Sequence, residues 1–191
     1  VCSSDLSQGV ASTATLQLAI VNPSVSVATG GKHTCAILST GAMQCWGDNS
    51  TGQLGIGGTT SSLAPSTVTG ASGVQSMALG FQHSCALDNG TTPVKCWGSN
   101  LSGQLGVGST ATLLATPQPV SSLPAVQVST RGDTTCALLS DRTVKCWGSN
   151  LYGQLGDGTV VWKSSPVAVL GSYSFVTVTA GSNASGGLLA S

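Results

Sequence analysis

One thirteen-residue phrase occurs three times in this 191-residue chain. It reads CWGDNSTGQLGIG at residues 45–57, CWGSNLSGQLGVG at 96–108 and CWGSNLYGQLGDG at 146–158. Its leading cysteine therefore recurs after 51 and then 50 residues. A period of about 20 to 50 residues is typical of arrays in which every repeat is one structural unit that buries its apolar surface against its neighbours. The sequence thus predicts a stack of similar units.

Each unit is expected to consist of short β-strands. A second phrase precedes each copy of the first and reads HTCAIL at residues 33–38, HSCAL at 83–87 and TTCALL at 134–139. Its alternating side chains suit a half-buried strand, and the Ser-Thr-Gly at 39–41 suits a three-residue hairpin loop. Three or four short strands per unit of about fifty residues, without a helical stretch, predict an all-β chain of β-propeller blades.

The repeat phrases define the expected boundaries of the blades. Residues 178–189, VTAGSNASGGLL, continue the pattern with Gly186 where the earlier copies have cysteine. The chain therefore holds about three and a half repeats: repeat 1 at 24–73, repeat 2 at 74–125, repeat 3 at 126–175 and the start of a truncated repeat 4 at 176–191. Residues 7–23 are interpreted as a lead-in or the end of a preceding blade. Residues 1–6, VCSSDL, are interpreted as a non-native artefact, because a common sequencing adapter spells them when translated.

The repeat combines a phrase of the type HTCAL, a glycine turn and CWGxNxxGQLGxG. This combination resembles the repeat of the regulator of chromosome condensation family. Its cysteine-paired form is similar to copies in bacterial, exported members of that family. The resemblance implies a seven-bladed ring, of which this chain would be a fragment of about half. It also implies two functions to be weighed: a guanine-nucleotide exchange factor that touches chromatin, as in the namesake of the family, or a binding scaffold.

The glycine-rich loop is interpreted as architecture. A phosphate-binding loop is needed once per site and leads into a helix, whereas this loop recurs in every unit and no helical pattern follows it. We expect its glycines to adopt positive φ, its leucine to enter the core, its tryptophan to pack between blades, and its asparagine and glutamine to bond loop backbone. The predicted structural residues are Trp46, Gly47, Asn49, Gly52, Gln53, Leu54 and Gly55; Trp97, Gly98, Asn100, Gly103, Gln104, Leu105 and Gly106; and Trp147, Gly148, Asn150, Gly153, Gln154, Leu155 and Gly156.

The cysteines of the two phrases are expected to form disulfide bonds. A hairpin centred on Thr40 places Cys35 opposite Cys45, and cysteines in opposed positions of an antiparallel pair lie within disulfide range. The same reading pairs Cys136 with Cys146, and Cys85 with Cys96 across a longer loop. Two alternatives stay open: reduced cysteines that serve as small core side chains, and zinc bound by a His-x-Cys and a second cysteine. The third copy has Thr134 in place of the histidine, which disfavours zinc, and no metal or other cofactor is expected.

Composition disfavours several classes of function. The formal net charge is zero, only 6% of residues are charged and glutamate is absent. Proteins that bind nucleic acid usually carry an excess of basic residues, so no nucleic-acid partner is expected. No apolar run is long enough to span a bilayer. The aspartates lie in turn phrases, and no nucleophile, base and acid recur in catalytic spacing, so we do not expect an enzyme.

The leading hypothesis is a non-catalytic scaffold that binds a protein partner, or a surface glycan, outside the cell. Paired cysteines suit an oxidising compartment, and a signal peptide is expected to be missing from this fragment. A further alternative is inhibition of an extracellular enzyme, because a β-lactamase inhibitor protein shares the propeller architecture. Residues that break the repeat are the candidates for the binding surface, since architecture does not require them: Phe81, Gln82, Arg131, Asp133, Tyr152, Trp162 and Lys163.

Overall fold

The computed structural model describes residues 24–91, 93–109, 111–121 and 123–190, and the interpretations of residues 1–23 lie outside these. This part of the chain contains fourteen β-strands and no helix. The strands are β1 Ser24–Thr29, β2 His33–Leu38, β3 Met43–Gly47, β4 Ser62–Thr67, β5 Val74–Leu79, β6 His83–Asp88, β7 Val94–Ser99, β8 Leu113–Pro119, β9 Ala125–Arg131, β10 Thr134–Leu139, β11 Val144–Gly148, β12 Lys163–Ala168, β13 Phe175–Ala180 and β14 Ser185–Leu189.

The strands form three four-stranded antiparallel sheets and one two-stranded sheet. Within each sheet the strands lie in sequence order, from β1 to β4, β5 to β8 and β9 to β12, and β13 pairs with β14. The first strands of successive sheets are neighbours, because β1 contacts β5, β5 contacts β9 and β9 contacts β13. The sheets therefore stack face to face around their first strands as blades of a propeller. This confirms the all-β propeller architecture that the repeat predicts.

The central hairpin of each complete blade is closed by a disulfide bond. Cys35 lies opposite Cys45, Cys85 opposite Cys96 and Cys136 opposite Cys146 in the strand registers. Each pair is bonded, with 4.1 Å between the two Cα atoms. All six cysteines are buried. The disulfide bonds that the hairpin register predicts are thus present in the structure.

The hairpin turns show one local departure from the repeat. Gly41 closes the turn of the first blade with φ of 77° and donates its N–H to the carbonyl of Leu38 at 2.9 Å. Arg142 occupies the matching place in the third blade with φ of 68°, and it is the one non-glycine residue with positive φ in the described ranges. An arginine is strained in this left-handed region because its Cβ crowds the following carbonyl.

The hydrophobic core lies between successive blades. Between blades 1 and 2, Ile37 and Leu54 of the first pack with Val74 and Trp97 of the second. The next cluster repeats this arrangement, with Leu87 and Leu105 against Val128 and Trp147, and a third lies between blade 3 and the two-stranded sheet. Each blade therefore stabilises its neighbours, as expected for an array of units.

One asparagine per blade organises the long loop between the third and fourth strands. The Oδ1 atoms of Asn49, Asn100 and Asn150 accept the backbone N–H of Leu54, Leu105 and Leu155 at 2.9, 3.1 and 3.0 Å. Their Nδ2 atoms donate to carbonyls nine and eleven residues farther along the loop. The three leucines are fully buried. The asparagine thus folds the loop so that its leucine enters the core.

The glutamine that follows links each loop to the next blade through its backbone carbonyl. The carbonyl of Gln53 accepts the indole N–H of Trp97 at 3.0 Å and the hydroxyl of Ser84 at 2.8 Å. In the next interface, the carbonyl of Gln104 accepts the indole of Trp147 and the hydroxyl of Thr135, each at 2.9 Å. Two buried donors from one blade therefore meet a single acceptor of the blade before it.

We predict that Trp97→Phe destabilises the chain much more than Trp46→Phe. Trp97 is fully buried, so the change removes the indole donor to Gln53 and leaves a void, at a cost of about 1–3 kcal/mol. Trp46 holds the same repeat position but is only partly buried, so its replacement should cost less than about 1 kcal/mol. Urea unfolding of both variants measures the difference, and equal losses would contradict an energetic role for the bond between blades.

Candidate protein-binding site

The loops between the first and second strands of each sheet gather on one face of the stacked blades. They comprise residues 30–32, 80–82, 132–133 and 181–184. Glycine is required at two of these positions because a histidine ring fills the space beside it. A Cβ on Gly30 would lie 2.3 Å from Cε1 of His33, and a Cβ on Gly80 would lie 2.2 Å from Cε1 of His83. The repeat therefore sets the backbone of these inner loops.

Backbone hydrogen bonds hold the inner loops together. The N–H of Gly31 donates to the carbonyl of Gly80 at 3.1 Å, and the N–H of Phe81 donates to the carbonyl of Gly132 at 2.9 Å. A cavity of about 490 Å³ opens between the loops. Its lining consists of Thr29, Gly30, Gly31, Leu79, Gly80, Phe81, Thr130, Arg131, Gly132 and Ser182. We call this face, with its cavity, the inner-loop rim.

Two of the residues singled out in the sequence line this cavity. Phe81 is 56% exposed, and its ring lies against Gly31, where a Cβ would be 3.0 Å from Cδ2 of the ring. Arg131, at the end of β9, is also exposed. Lys32 is a further exposed cation in these loops. An exposed aromatic ring and a cationic side chain around one concavity can engage an acidic surface that also carries an apolar group.

Gln82 and Asp133 belong to the same loops but have partners within the blades. The carbonyl of Gln82 accepts the N–H of Ser99 at 2.9 Å and the hydroxyl of Thr51 at 3.2 Å. The carboxylate of Asp133 accepts the side-chain amide of Gln104 at 3.2 Å. Burial raises the pKa of Asp133 above its usual value, and the bond from Gln104 partly offsets this. Asp133 is thus half-buried between blades, beside the rim.

The structure places the other three candidates away from the rim. Tyr152 is 71% exposed and borders a separate cavity between blade 3 and the two-stranded sheet. In the preceding blade its repeat position is occupied by Ser102, which is buried. Trp162 is exposed just before β12, and Lys163 pairs with Asp157 at 3.3 Å between Nζ and Oδ2. Four of the seven candidates therefore lie in or directly beside the inner loops, and the other three lie in the loop before β12 and at its start.

Several residues that line the rim have no feature that marks them in the sequence. Thr29, Leu79 and Thr130 follow the strand pattern and carry no unusual chemistry, yet each lies just before an inner loop. Ser182 lies within the fourth such loop. Thr29, Leu79 and Thr130 hold the same position in their repeats. That shared position was the signal available in the sequence, because equivalent positions of stacked blades come together at one face.

The histidines of blades 1 and 2 bond to hydroxyls of the following blade. Nε2 of His33 lies 2.8 Å from Oγ of Ser84, and Nε2 of His83 lies 2.9 Å from Oγ1 of Thr135. Each hydroxyl donates its single proton to a glutamine carbonyl, so the histidine must donate Nε2–H to the hydroxyl oxygen. A catalytic base would instead accept the hydroxyl proton. These buried pairs therefore connect blades and do not activate a nucleophile.

Burial keeps both histidines neutral near pH 7. Desolvation lowers the pKa of His33 to about 4, against a smaller opposing effect of Asp48. Desolvation, with a smaller contribution from the nearby His33, lowers the pKa of His83 to about 3. Nδ1 of each ring is buried without a hydrogen-bond partner. Protonation would therefore place a charge where no group is positioned to receive the new N–H.

The cysteines that a zinc site would need are bonded to each other, since Cys35 joins Cys45 in the disulfide bond of blade 1. Across the described ranges, no three histidine, cysteine or acidic side chains group closely enough to hold a metal ion. Within the same ranges, no helix has the length and apolar character needed to cross a membrane.

Two models of the Regulator of chromosome condensation (RCC1) repeat match this chain. One matches residues 25–53, 74–104 and 125–154, and the other matches residues 41–87, 96–138 and 144–188. The human Probable E3 ubiquitin-protein ligase HERC6 is 36% identical over 118 residues, which is 59% of this chain and 11% of that protein. The Ultraviolet-B receptor UVR8 of Arabidopsis thaliana is 32% identical over 105 residues, 54% of this chain and 23% of that protein.

Solved structures show the same fold at lower sequence identity. Prp20p from Saccharomyces cerevisiae superposes with a TM-score of 0.78 at 19% identity, covering 88% of this chain and 44% of that one. The ectodomain of the Physcomitrella patens receptor kinase CR4 superposes with a TM-score of 0.55 at 20% identity, covering 89% and 36%. The chain thus spans less than half the length of each of these relatives.

We predict that acid destabilises the fold through His33 and His83. Each has a folded-state pKa below the unfolded value of 6.5, so the unfolded chain binds the proton first and stability is lost as pH falls from 6.5 toward 4. Between pH 6 and 4.5 the free energy of unfolding should fall by about 1 kcal/mol per pH unit for each histidine. Urea unfolding across this interval measures the slope.

Matched variants separate this effect from other titrations. A glutamine can keep an N–H donor to the hydroxyl but does not titrate, so His83→Gln should remove about half of the slope and the His33→Gln, His83→Gln double variant most of it. Burial acts to raise the pKa values of Asp48 and Asp157, but hydrogen bonds to their carboxylates outweigh it, and hydrogen bonds also lower the pKa of Asp141. All three carboxyl groups therefore titrate below this pH interval. An unchanged slope in the double variant would refute the assignment.

Proposed function

Since this chain belongs to the regulator of chromosome condensation repeat family, we propose that it is a non-catalytic propeller scaffold that binds another protein through the inner-loop rim. We place this role outside the cell. The observation that carries the proposal is the rim cavity, where the exposed Phe81 lies in an inner loop and Arg131 directly before one, and the backbones of these loops are bonded to each other. Aromatic and arginine side chains are the types most enriched among residues that dominate binding energy.

The rim is suited to binding because its backbone is already ordered. Inner loops of blades 1, 2 and 3 are joined by the bonds from Gly31 to Gly80 and from Phe81 to Gly132. A partner that docks there orders few additional residues, so less of the interaction energy is spent on conformational entropy. The disulfide bond in each complete blade further restricts the hairpin that follows the loop.

The charges of the rim favour a partner surface that carries carboxylates. Arg131 and Lys32 are exposed cations, whereas the nearby Asp133 is half-buried and bonded to Gln104. Arginine binds carboxylates in a bidentate geometry and also stacks on planar groups. An acidic loop with an apolar or aromatic residue beside Phe81 fits this chemistry. A neutral surface glycan would use the aromatic ring but offers no carboxylate for Arg131.

Known relatives support a role in protein binding. The structure of Prp20p is described together with its binding to Gsp1p and histones, and that likeness supports the fold of this chain. HERC6 carries the name of a ubiquitin-protein ligase, and this chain covers 11% of it. We take from these relatives only the use of a propeller as a scaffold, because function lies in the site and the same fold hosts many activities.

Three buried disulfide bonds favour the extracellular setting over a nuclear exchange factor. Disulfides persist in oxidising compartments, whereas cytosolic and nuclear thiols are kept reduced. Inhibition of an extracellular enzyme would be one form of the same protein binding, and the identity of the partner decides it. The role as a scaffold, and not as a catalyst, is supported by the buried histidines, whose Nε2 atoms already donate to hydroxyls of the next blade.

We predict that a photo-crosslinking phenylalanine at position 81 captures the partner in extracellular fractions of the source organism. The same group at position 63 serves as the control, because Leu63 is fully exposed on β4, the strand of this sheet that lies farthest from β1. With the captured partner purified, Phe81→Ala and Arg131→Ala should each raise the dissociation constant about tenfold or more, the range of a binding hot spot. Leu63→Ala should change it less than twofold. Equal crosslinking at both positions, or unchanged affinity in both rim variants, would refute the rim as the binding site.

The extracellular setting predicts that the native protein contains no free thiols among its six paired cysteines. Protein isolated under alkylating conditions should yield disulfide-linked peptides containing Cys35–Cys45, Cys85–Cys96 and Cys136–Cys146, which separate only after reduction. Peptide mass mapping with and without reductant makes the measurement. Alkylation of all six cysteines before reduction would contradict this setting and would favour the intracellular exchange factor.

A further inference from the structure

Blade 3 departs from the repeat at two residues that flank its inner loop. In blades 1 and 2 the fifth residue before the first cysteine is glycine, and the second residue before it is histidine. The histidine ring occupies the space where a side chain on the glycine would lie, as His83 does beside Gly80. In blade 3 these places hold Arg131 and Thr134, which pair across β9 and β10. An arginine fits here because the histidine is absent, so the two changes belong together.

The exchange removes a contact between blade 3 and the sheet that follows it. Nε2 of the buried His83 lies 2.9 Å from Oγ1 of Thr135 in the next blade. Thr134 is also buried, but its hydroxyl donates to the carbonyl of Ser149 within blade 3, at 3.2 Å. Ser185 holds the place of Thr135 in the following sheet and has no histidine to bond with. Blade 3 therefore lacks a bond between blades and carries a cationic side chain at the rim instead.

A second departure from apolar packing lies directly beside Arg131. Thr130 lines the rim cavity, and its Oγ1 is buried without a hydrogen-bond partner. The equivalent residue of blade 2 is Leu79, which is apolar and packs in the core between blades 1 and 2. A buried hydroxyl that stays unpaired destabilises a fold relative to an apolar side chain of the same shape. Packing within the chain therefore does not explain why a threonine stands here.

The positive charge of Arg131 has no partner of opposite charge within the described residues. The two ion pairs found there involve lysines. The acidic residue nearest in sequence, Asp133, is half-buried, and its Oδ1 accepts the side-chain amide of Gln104 in blade 2 at 3.2 Å. Arg131 itself is exposed and lines the rim cavity. Its guanidinium group is thus available to an anionic group from outside the chain.

We propose that Arg131 and Thr130 form a subsite of the inner-loop rim that binds a carboxylate side chain, aspartate or glutamate, of the partner. A guanidinium group binds both oxygens of a carboxylate, and the unpaired hydroxyl of Thr130 has a proton to donate. Phe81 borders the same cavity, so the partner residue next to the acidic one is apolar or aromatic. This inference rests on the proposed function and deepens it, because it names the residues that select the partner.

The first test uses the two arginines of the chain, Arg131 and Arg142, each of which gives one side-chain Nε–H signal in a spectrum of the nitrogen-labelled protein. The probe is the capped dipeptide acetyl-Asp-Phe-amide, and acetyl-Asn-Phe-amide is its matched control without the carboxylate. The aspartyl peptide should shift the Arg131 signal saturably, and the asparaginyl peptide should not. Arg142 is exposed in a hairpin turn and reports unspecific attraction. No saturable shift, equal shifts of both arginines or equal effects of both peptides would overturn the proposal.

Thr130→Val removes the hydroxyl and keeps the shape of the side chain. This variant should bind the aspartyl peptide about threefold or more weakly, because one hydrogen bond to the carboxylate is lost. Its urea unfolding midpoint should not fall, because the hydroxyl has no partner within the fold. Unchanged peptide binding, or a lower midpoint that shows a structural role, would overturn the assignment of Thr130.

The double variant Arg131→Gly, Thr134→His restores the residues of blades 1 and 2. It should lose binding of the aspartyl peptide but unfold at a urea concentration similar to that of the unchanged chain, because the new histidine can bond to Ser185. Thr134→His alone should unfold at a lower concentration, because the ring meets the side chain of Arg131. Equal midpoints of the single and double variants would overturn the exchange on which the subsite is based.

The outcomes for the subsite and for the protein-binding role are distinguishable. If the aspartyl peptide fails to bind while Phe81→Ala still weakens binding of the captured partner, the carboxylate subsite is wrong and the rim remains a protein-binding site. If the peptide binds as expected but position 81 captures no protein, the subsite stands and the proposed function is wrong.

Discussion

The backbone carbonyl of the loop glutamine is the contact on which the stacking of the blades depends. At Gln53 and Gln104 it receives an indole N–H and a hydroxyl from the following blade, all in buried surroundings. Such donors and acceptors are costly to leave unpaired away from water, so the blades can approach only in the register that satisfies them. The apolar contacts between blades supply the larger share of the stabilisation, and this polar contact fixes their relative position.

The same register brings the inner loops to one face. Once Ser84 and Thr135 are bonded to the preceding blade, the histidines donate to these hydroxyls and pack beside Gly30 and Gly80. The inner loops that precede these histidines are thereby aligned and joined by backbone bonds, and the exposed side chains in and beside them are free to differ. Phe81 lies in such a loop and Arg131 directly before one. The architecture thus fixes the backbone of the rim and leaves its chemistry open to variation.

Much of the fold could be predicted because the spacing of the repeated residues constrains the hairpin register and the conformation of the long loop. The spacing of Cys35 and Cys45 fixed a hairpin register, and the recurrence of Asn49 and Leu54 with their glycines marked a loop folded onto its own backbone. The candidate site was predicted less well, because departure from the repeat shows that a residue is not needed for architecture but not where it lies. Tyr152 departs from the repeat as Phe81 does, yet it borders the interface between blades. Thr130 follows the pattern and still lines the rim.

By itself the sequence determined the all-β repeat and the hairpin register that places the cysteines opposite each other, since these depend on local spacing along a hairpin. Only the tertiary structure decided which of the candidate binding residues lie close to each other. It brought Phe81 and Arg131 to one cavity and turned Asp133 toward Gln104 of the neighbouring blade. These outcomes depend on how one blade is rotated on the next, and that rotation is set by packing and hydrogen bonds between residues about thirty to fifty positions apart.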